Sequence, residues 1–289
     1  MKAFSVSKIE NIQEYPFVLD SPHSGTIYPD DFNYAVKLEI LRQAEDTYVD
    51  QLIEELASRG LPTLCANFPR TYIDVNRSLN EVDLELIADS WPSPVIPSSK
   101  TRLGKGLVWR QLDTGDEIYS SRLLTKEIEY RIDNYWIPYH NELKRLLQTV
   151  YDTHGYVVHF NCHSMPSVSG PLSTEEPGLI HPDFVLGDRD GTSANPLITQ
   201  FIYKFLTGLG YNCWINRPYK GVELVRAYSN PSQRRHSIQV EINRKLYMNE
   251  QTLELHSGFE KIRSDLNALV METISFCRQT ASFLYTSTR

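Results

Sequence analysis

Short apolar runs recur along the chain, each bounded by Gly, Pro, Asn or Asp, and they predict strands at 16–20, 62–66, 156–161, 183–187, 211–215 and 237–242. Between them, apolar residues return at three- and four-residue steps, the spacing of one helix face, over 36–59, 118–153, 193–208 and 253–284. In the first of these the stripe is Leu38, Leu41, Ala44, Tyr48, Leu52 and Leu56; in the last it is Phe259, Ile262, Leu266 and Val270. Strands separated by helical stretches predict an α/β fold, with a mostly parallel or mixed central sheet covered by helices on both faces. With 289 residues the chain is long enough to bury a substantial core, and it is read as one catalytic domain over 1–289. The segment 79–116 breaks the rhythm: a Pro- and Ser-rich stretch from Trp91 to Ser99 runs into the glycine-punctuated 100–106. Long irregular segments inside a compact domain are commonly functional, and this one carries Arg102, Lys105 and Arg110 beside Trp109, so it is expected to cover a substrate.

Charge and composition narrow the partners. The formal net charge of -7, with no Lys- or Arg-rich run, argues against nucleic acid and favours a small soluble partner. No stretch approaches the roughly 20 apolar residues of a membrane span, and residues 1–13 lack the apolar core of about 7 to 15 residues that a secretory signal needs. A cytoplasmic protein without membrane contact is expected. Cys65, Cys162, Cys213 and Cys277 stand apart with no framework spacing, as suits reduced thiols, and Cys162 reads as a small buried filler.

Candidate chemistry starts where two strands each run into a His-Ser step: Phe17 to Ser24, containing His23, and Val157 to Ser164, containing His163. In α/β sheets functional groups gather at the carboxyl ends of strands, so these two imidazoles can meet in one crevice. A catalytic zinc site takes three ligands from His, Asp and Glu and leaves a fourth position for water. The acidic candidates are Asp46 and Glu45, neighbours in the predicted 36–59 helix; their side chains would diverge by about 100°, so one of them reaches the metal. Asp46 is the first choice and Glu45 the alternative. His159 is expected to face away from His163 and to serve as core or outer support, while His140 and His236 could each replace a chosen ligand.

Two further segments carry charge. In the alternating strand 237–242 and its continuation, Gln239, Glu241 and Asn243 share a face, and Glu241 is the candidate general base; its competing role is a partner for Arg244. The segment Phe68 to Arg77 holds Arg70, Asp74, Asn76 and Arg77. Arginine's planar fork grips carboxylates in a bidentate manner, so an acidic substrate would account for Arg70, Arg77, Arg102, Lys220 and Arg226 converging from loops.

Taken in order, DSPHSG at 20–25, EDTYVD at 45–50, FPR at 68–70, IDVNR at 73–77, KTRLGKG at 100–106, NCHSMP at 161–166, LGDRDGT at 186–192, PYKG at 218–221 and EINRKLYM at 241–248 resemble the N-formylglutamate amidohydrolase family over nearly the whole chain. The resemblance implies a zinc-carboxypeptidase-like fold and hydrolysis of N-formyl-L-glutamate to L-glutamate and formate in histidine degradation. It also implies His23, Asp46 and His163 as ligands of zinc, or of cobalt or manganese, Glu241 as base, and Asn76-Arg77 as the carboxylate-binding pair. Arg77 is left with two possible tasks, oxyanion stabilisation or carboxylate binding. One departure is visible: Ser24, Gly25 and Thr26 follow His23, so the relatives' compact His-x-x-Glu is absent and the acidic ligand comes from further along. Deacylation of another N-acyl amino acid or small amide, or non-catalytic binding of a dicarboxylate, are the alternative functions.

Overall fold

Strands β2 (Phe17–Ser21), β4 (Val157–Met165) and β7 (Arg235–Asn243) lie side by side and parallel at the centre of the sheet. The computed structural model describes residues 2–7, 12–174 and 176–280. The sheet is completed by β1 (Phe4–Val6), β3 (Thr63–Ala66), β5 (Phe184–Gly187) and β6 (Cys213–Ile215), in the order β1-β3-β2-β4-β7-β5-β6. All six predicted strands are present. The short β1, which pairs antiparallel with β3, went unpredicted because three half-exposed residues carry too little pattern. The β5–β7 pair is also antiparallel, so the sheet is mixed.

Alternation along the three central strands separates two chemistries. Phe17 and Leu19, Val158, Phe160 and Cys162, and Ile238, Val240 and Ile242 enter one apolar core. The intervening positions start apolar, with Val18 and Val157 in a second core cluster, but toward the carboxyl ends Asp20, His159, Asn161, His163, Ser237, Gln239 and Glu241 are polar, yet buried. Successive strand side chains point to opposite faces, so one face is a dry core and the other carries polar groups that must find partners. His159 is therefore on the same face as His163, not turned away from it: β4 stays regular to Met165, and even offsets keep one face. Cys162 belongs to the apolar side, and burial pushes its thiol up.

Helices α2 (Val49–Leu52), α3 (Glu54–Ser58), α7 (Pro196–Gly208) and α9 (Gly258–Gln279) cover the apolar face through Val49, Leu56, Ile198, Ile202, Leu266 and Val270. Residues 281–284 of the predicted last helix lie outside the described residues. The other face is covered by α5 (Thr125–Arg131), α6 (Ile137–His154) and the 79–116 segment. Between α5 and α6, Ile132–Trp136 form a π-helical turn just ahead of Pro138, which offers no amide hydrogen bond. The 79–116 segment contains a 3-10 turn at Leu84–Leu86 and one short α-helical turn, α4 (Ser99–Arg102), capped reciprocally by Ser98 and Thr101, and its Leu107, Val108, Trp109 and Leu112 are core residues. The last named helices are α1 (Leu38–Leu41) and α8 (Glu223–Tyr228). Among the described residues no helix is long and apolar enough to cross a membrane.

The predicted helix over 36–59 is broken, and the break matters. After α1 a 3-10 turn ends at Ala44, Glu45 is extended, and Tyr48 takes a positive φ before α2 begins. Glu45 and Asp46 are both buried, whereas a regular helix would swing one of two neighbours outward. The amide of Asp46 instead donates to the carbonyl of His23 at 3.0 Å, tying the acidic pair to the end of β2.

Candidate active site

His23 follows β2 by two residues, His163 lies in β4, and Glu241 in β7 is the direct register partner of His163. The parallel central strands thus bring their carboxyl ends to one place, as expected of such a sheet. Asp46 arrives there from the break after α1. Its Oδ2 is 2.9 Å from Nδ1 of His163 and 3.4 Å from Nδ1 of His23, and the three side chains offer ligand atoms within 4.8 Å of one another. Glu45 turns elsewhere, accepting from the Tyr28 hydroxyl at 2.6 Å and from Arg42 at 3.3 Å.

The opposite ring nitrogens are held from behind. Nε2 of His23 is 2.7 Å from Oδ1 of Asp74, and Nε2 of His163 is 2.7 Å from Oδ1 of Asn161. With both Nε2 atoms donating, both Nδ1 lone pairs point at Asp46. Nδ1 of His23 is buried without a hydrogen-bond partner. Two imine lone pairs and a carboxylate converging in a buried space call for a cation among them, and two nitrogens plus one oxygen suit a divalent ion such as zinc. The donor set therefore fits a metal. Behind Asn161, its Nδ2 donates to Asp20 at 2.8 Å, and Asp20 also meets Nε2 of His159 at 2.9 Å and the Tyr139 hydroxyl at 2.8 Å. His159 is thus an outer support.

Three arginines surround the cluster. Arg70 places Nη1 3.4 Å from Asp46 and Nη2 3.2 Å from Asp74. Arg244 reaches Asp46 at 3.2 Å, the Ser164 hydroxyl at 3.0 Å and the Gln43 carbonyl at 3.0 Å. Burial alone would raise the carboxyl of Asp46, but the neighbouring Arg70 guanidinium holds it well below the usual range; Asp74 is held down likewise by His23, Arg77 and Arg70. Arg77 uses Nε on the Lys105 carbonyl at 3.1 Å and Nη1 on the Asn76 carbonyl at 3.0 Å. Glu241 accepts from Gln239 Nε2 at 2.7 Å, and burial pushes its carboxyl up. A raised carboxyl at the cluster's edge suits proton transfer.

These groups open onto a cavity of about 280 Å³ lined by Arg70, Asn76, Arg77, His163, Glu241 and Arg244, with Lys100, Lys105 and Trp109 from the 79–116 segment. Asn76 is tied down, its Oδ1 accepting from the Leu224 amide at 2.9 Å.

Arg102, Lys220 and Arg226 do not line this cavity. Arg102 is exposed beside a separate shallow cleft, because it lies two residues beyond Lys100 on α4 and so points about 200° around the helix. Lys220 pairs with Asp190 at 2.8 Å on the surface, and it is the neighbouring Tyr219 that faces the cavity. Arg226 folds back on Glu223 of its own helix turn at 2.8 Å. His140 and His236 are buried away from the ligand cluster: His140 bonds the Val75 carbonyl and the Tyr228 hydroxyl, both at 2.8 Å, and His236 lies 3.3 Å from the Asn195 amide. Sequence reasoning missed Asp74, Arg244 and Gln239 as parts of the site. Asp74 had a signal, a lone acid among two arginines and an asparagine, whereas Arg244 reads in sequence only as a partner of Glu241.

Comparison with known proteins identifies the family and the fold. The profile of the N-formylglutamate amidohydrolase family matches residues 15–248. N-formylglutamate deformylase of Pseudomonas putida is 26% identical over 243 residues, 81% of this chain and 82% of its own. The deformylase of Pseudomonas aeruginosa is 26% identical over 245 residues, 82% and 83% of the two chains. The crystal structure of N-formylglutamate amidohydrolase from Ralstonia eutropha superposes with a TM-score of 0.91 at 40% identity, covering 96% of this chain and 99% of that one. A gene product of Agrobacterium tumefaciens shares the fold at 17% identity and a TM-score of 0.69, covering 96% and 97%. With a family profile spanning most of its length and a full-length structural match at that identity, the chain belongs to the N-formylglutamate amidohydrolase family.

Proposed function

We propose that this chain is a metal-dependent deformylase that hydrolyses N-formyl-L-glutamate to L-glutamate and formate, in the cytoplasm and as a step of histidine degradation. The observation that carries the reading is the pair of histidine Nδ1 atoms converging on the buried Asp46, with His163 also lining a cavity that several cations share. His23, Asp46 and His163 would hold zinc, or cobalt or manganese in its place. Bound there, such an ion would supply Lewis acidity and would lower the pKa of a water toward neutrality.

The chain's own groups divide the remaining work. Glu241, fixed by Gln239, takes the proton from the attacking water and hands it to the amine nitrogen as the C–N bond breaks, leaving formate and the free amino acid. Arg70, whose Nη1 lies 3.4 Å from Asp46, stands at the reacting end and suits the developing oxyanion. Arg77 sits further along the cavity against Lys105 and suits a substrate carboxylate. The 79–116 segment supplies part of the cavity wall, consistent with a substrate-covering insertion within one catalytic domain.

Formate release from N-formylglutamate, measured together with metal content, tests the reading. Expected are formate production, its loss on chelation and its return with a divalent ion, and a much lower rate with N-acetylglutamate. Formate release that survives complete metal removal would overturn the metal dependence, and no release under any condition would overturn the activity.

A further inference from the structure

The glycine-flanked Lys105 is a buried cation to which the deformylase mechanism gives no task. Its side chain is 3% exposed, yet the acid it pairs with, Asp113, is 55% exposed at the edge of the same cavity. Its Nζ also donates to the Leu172 carbonyl at 2.8 Å and lies 5.8 Å from the centre of the Trp109 ring. The same indole carries Arg70 at 4.9 Å, so Trp109 spans the space between the reacting end and Lys105. The carbonyl of Lys105 holds Arg77, which places the two cations next to each other.

The backbone delivers Lys105 rigidly. Gly104 has a φ of +72°, and a Cβ there would come within 2.8 Å of Gln111; a Cβ on Gly106 would come within 2.4 Å of the Glu81 carbonyl oxygen. The other cations at the metal end are committed: Arg70 to Asp46 and Asp74, Arg244 to Asp46, Ser164 and Gln43. A glutamyl substrate brings two carboxylates, and Arg77 accounts for one.

We propose that Lys105 recognises the second, side-chain carboxylate of the substrate, and that Asp113 occupies that carboxylate's place until substrate arrives. The exchange is physically cheap on one side only. Asp113 is largely in water and loses little when released, whereas the buried ammonium of Lys105 always needs a counter-charge. A neutral side chain entering the same space would leave Lys105 with Asp113 and gain nothing from it. Lys105 is thus the residue that discriminates an N-formyl dicarboxylic amino acid from its neutral analogues, an inference that rests on the deformylase reading.

The test compares kcat/KM for N-formylglutamate and its near-isosteric neutral analogue N-formylglutamine in the metal-loaded wild type, Lys105→Met and Asp113→Asn. Lys105→Met is expected to lose on the order of 10- to 100-fold on N-formylglutamate, mainly through KM, with little change on N-formylglutamine, so the preference collapses. An unchanged preference, or equal losses on both substrates, overturns the assignment. Should Lys105→Met not fold, Asp113→Asn decides: removal of the competing carboxylate lowers KM for N-formylglutamate and not for N-formylglutamine, and a KM for N-formylglutamate that does not fall overturns it. A wild type that cleaves neither substrate fails at the deformylase reading itself, and the role of Lys105 falls with it.

Discussion

Asp74→Asn exchanges a single oxygen for an amide nitrogen, on a carboxylate that serves four donors at once. Oδ1 of Asp74 accepts from His23 Nε2 at 2.7 Å and from the Asn76 amide at 2.9 Å, while Oδ2 accepts from Arg70 Nη2 and Trp109 Nε1, each at 3.2 Å. An asparagine has a single carbonyl oxygen, so whichever way its amide turns, two of these donors meet an NH₂ group. The guanidiniums of Arg70 and Arg77, the latter at 3.8 Å, keep the oxygen on their side. The NH₂ then faces His23 and forces its proton onto Nδ1, the nitrogen that points at Asp46. Each orphaned buried donor costs about 1–3 kcal/mol, and breaking a buried charge pair about 3–5 kcal/mol; because the two overlap, a loss of roughly 3–5 kcal/mol is expected. That is a large part of a typical domain stability of about 5–15 kcal/mol. Weakening the group behind a ligating histidine lowers metal affinity by about 10- to 100-fold. Urea unfolding of the metal-free protein measures the first quantity and competition with a chromophoric chelator the second. A variant within about 0.5 kcal/mol of wild type, with metal affinity within about twofold, would show that Asp74 neither orients His23 nor balances the arginines.

The other expectations are independent of that one. Glu241→Gln retains metal and loses on the order of 10²- to 10⁴-fold in kcat, because a glutamine cannot carry the proton; near-wild-type turnover would remove Glu241 from the mechanism. Burial lowers His140 to about 4, from about 6.5 in the unfolded chain. Since the unfolded state binds more protons in that window, this histidine's contribution is complete above about pH 6.5 and falls by about 3 kcal/mol as pH drops to 4; urea melts across this range should flatten in His140→Asn, and an unaltered slope would contradict the assignment. Arg102→Gln, Lys220→Gln and Arg226→Gln should each leave kcat/KM for N-formylglutamate within about twofold, and a larger loss in any of them would return that side chain to the binding site.

The local pattern was enough for much of this protein. Alternation in β2, β4 and β7 decides which side chains share a face, so a period of two alone placed His163 and Glu241 among polar neighbours and Cys162 in the core. The paired His-Ser strand ends pointed to one crevice because parallel strands deliver their carboxyl ends together. What periodicity could not carry is contact between distant segments. The apolar stripe from Leu38 to Leu56 reads as one helix, and only the bond from the Asp46 amide to His23 explains why it breaks and why Asp46, rather than Glu45, meets the histidines. Asp74 lies 51 residues from His23, and Arg244 lies 198 from Asp46. Hydrophobic spacing reports what a residue does to its own strand or helix, but it is silent on which charges become neighbours once water is excluded. Arg102, Lys220 and Arg226 show the same limit from the other side: each reads as a binding cation in sequence, and their partners and exposure in the folded chain leave them at the surface.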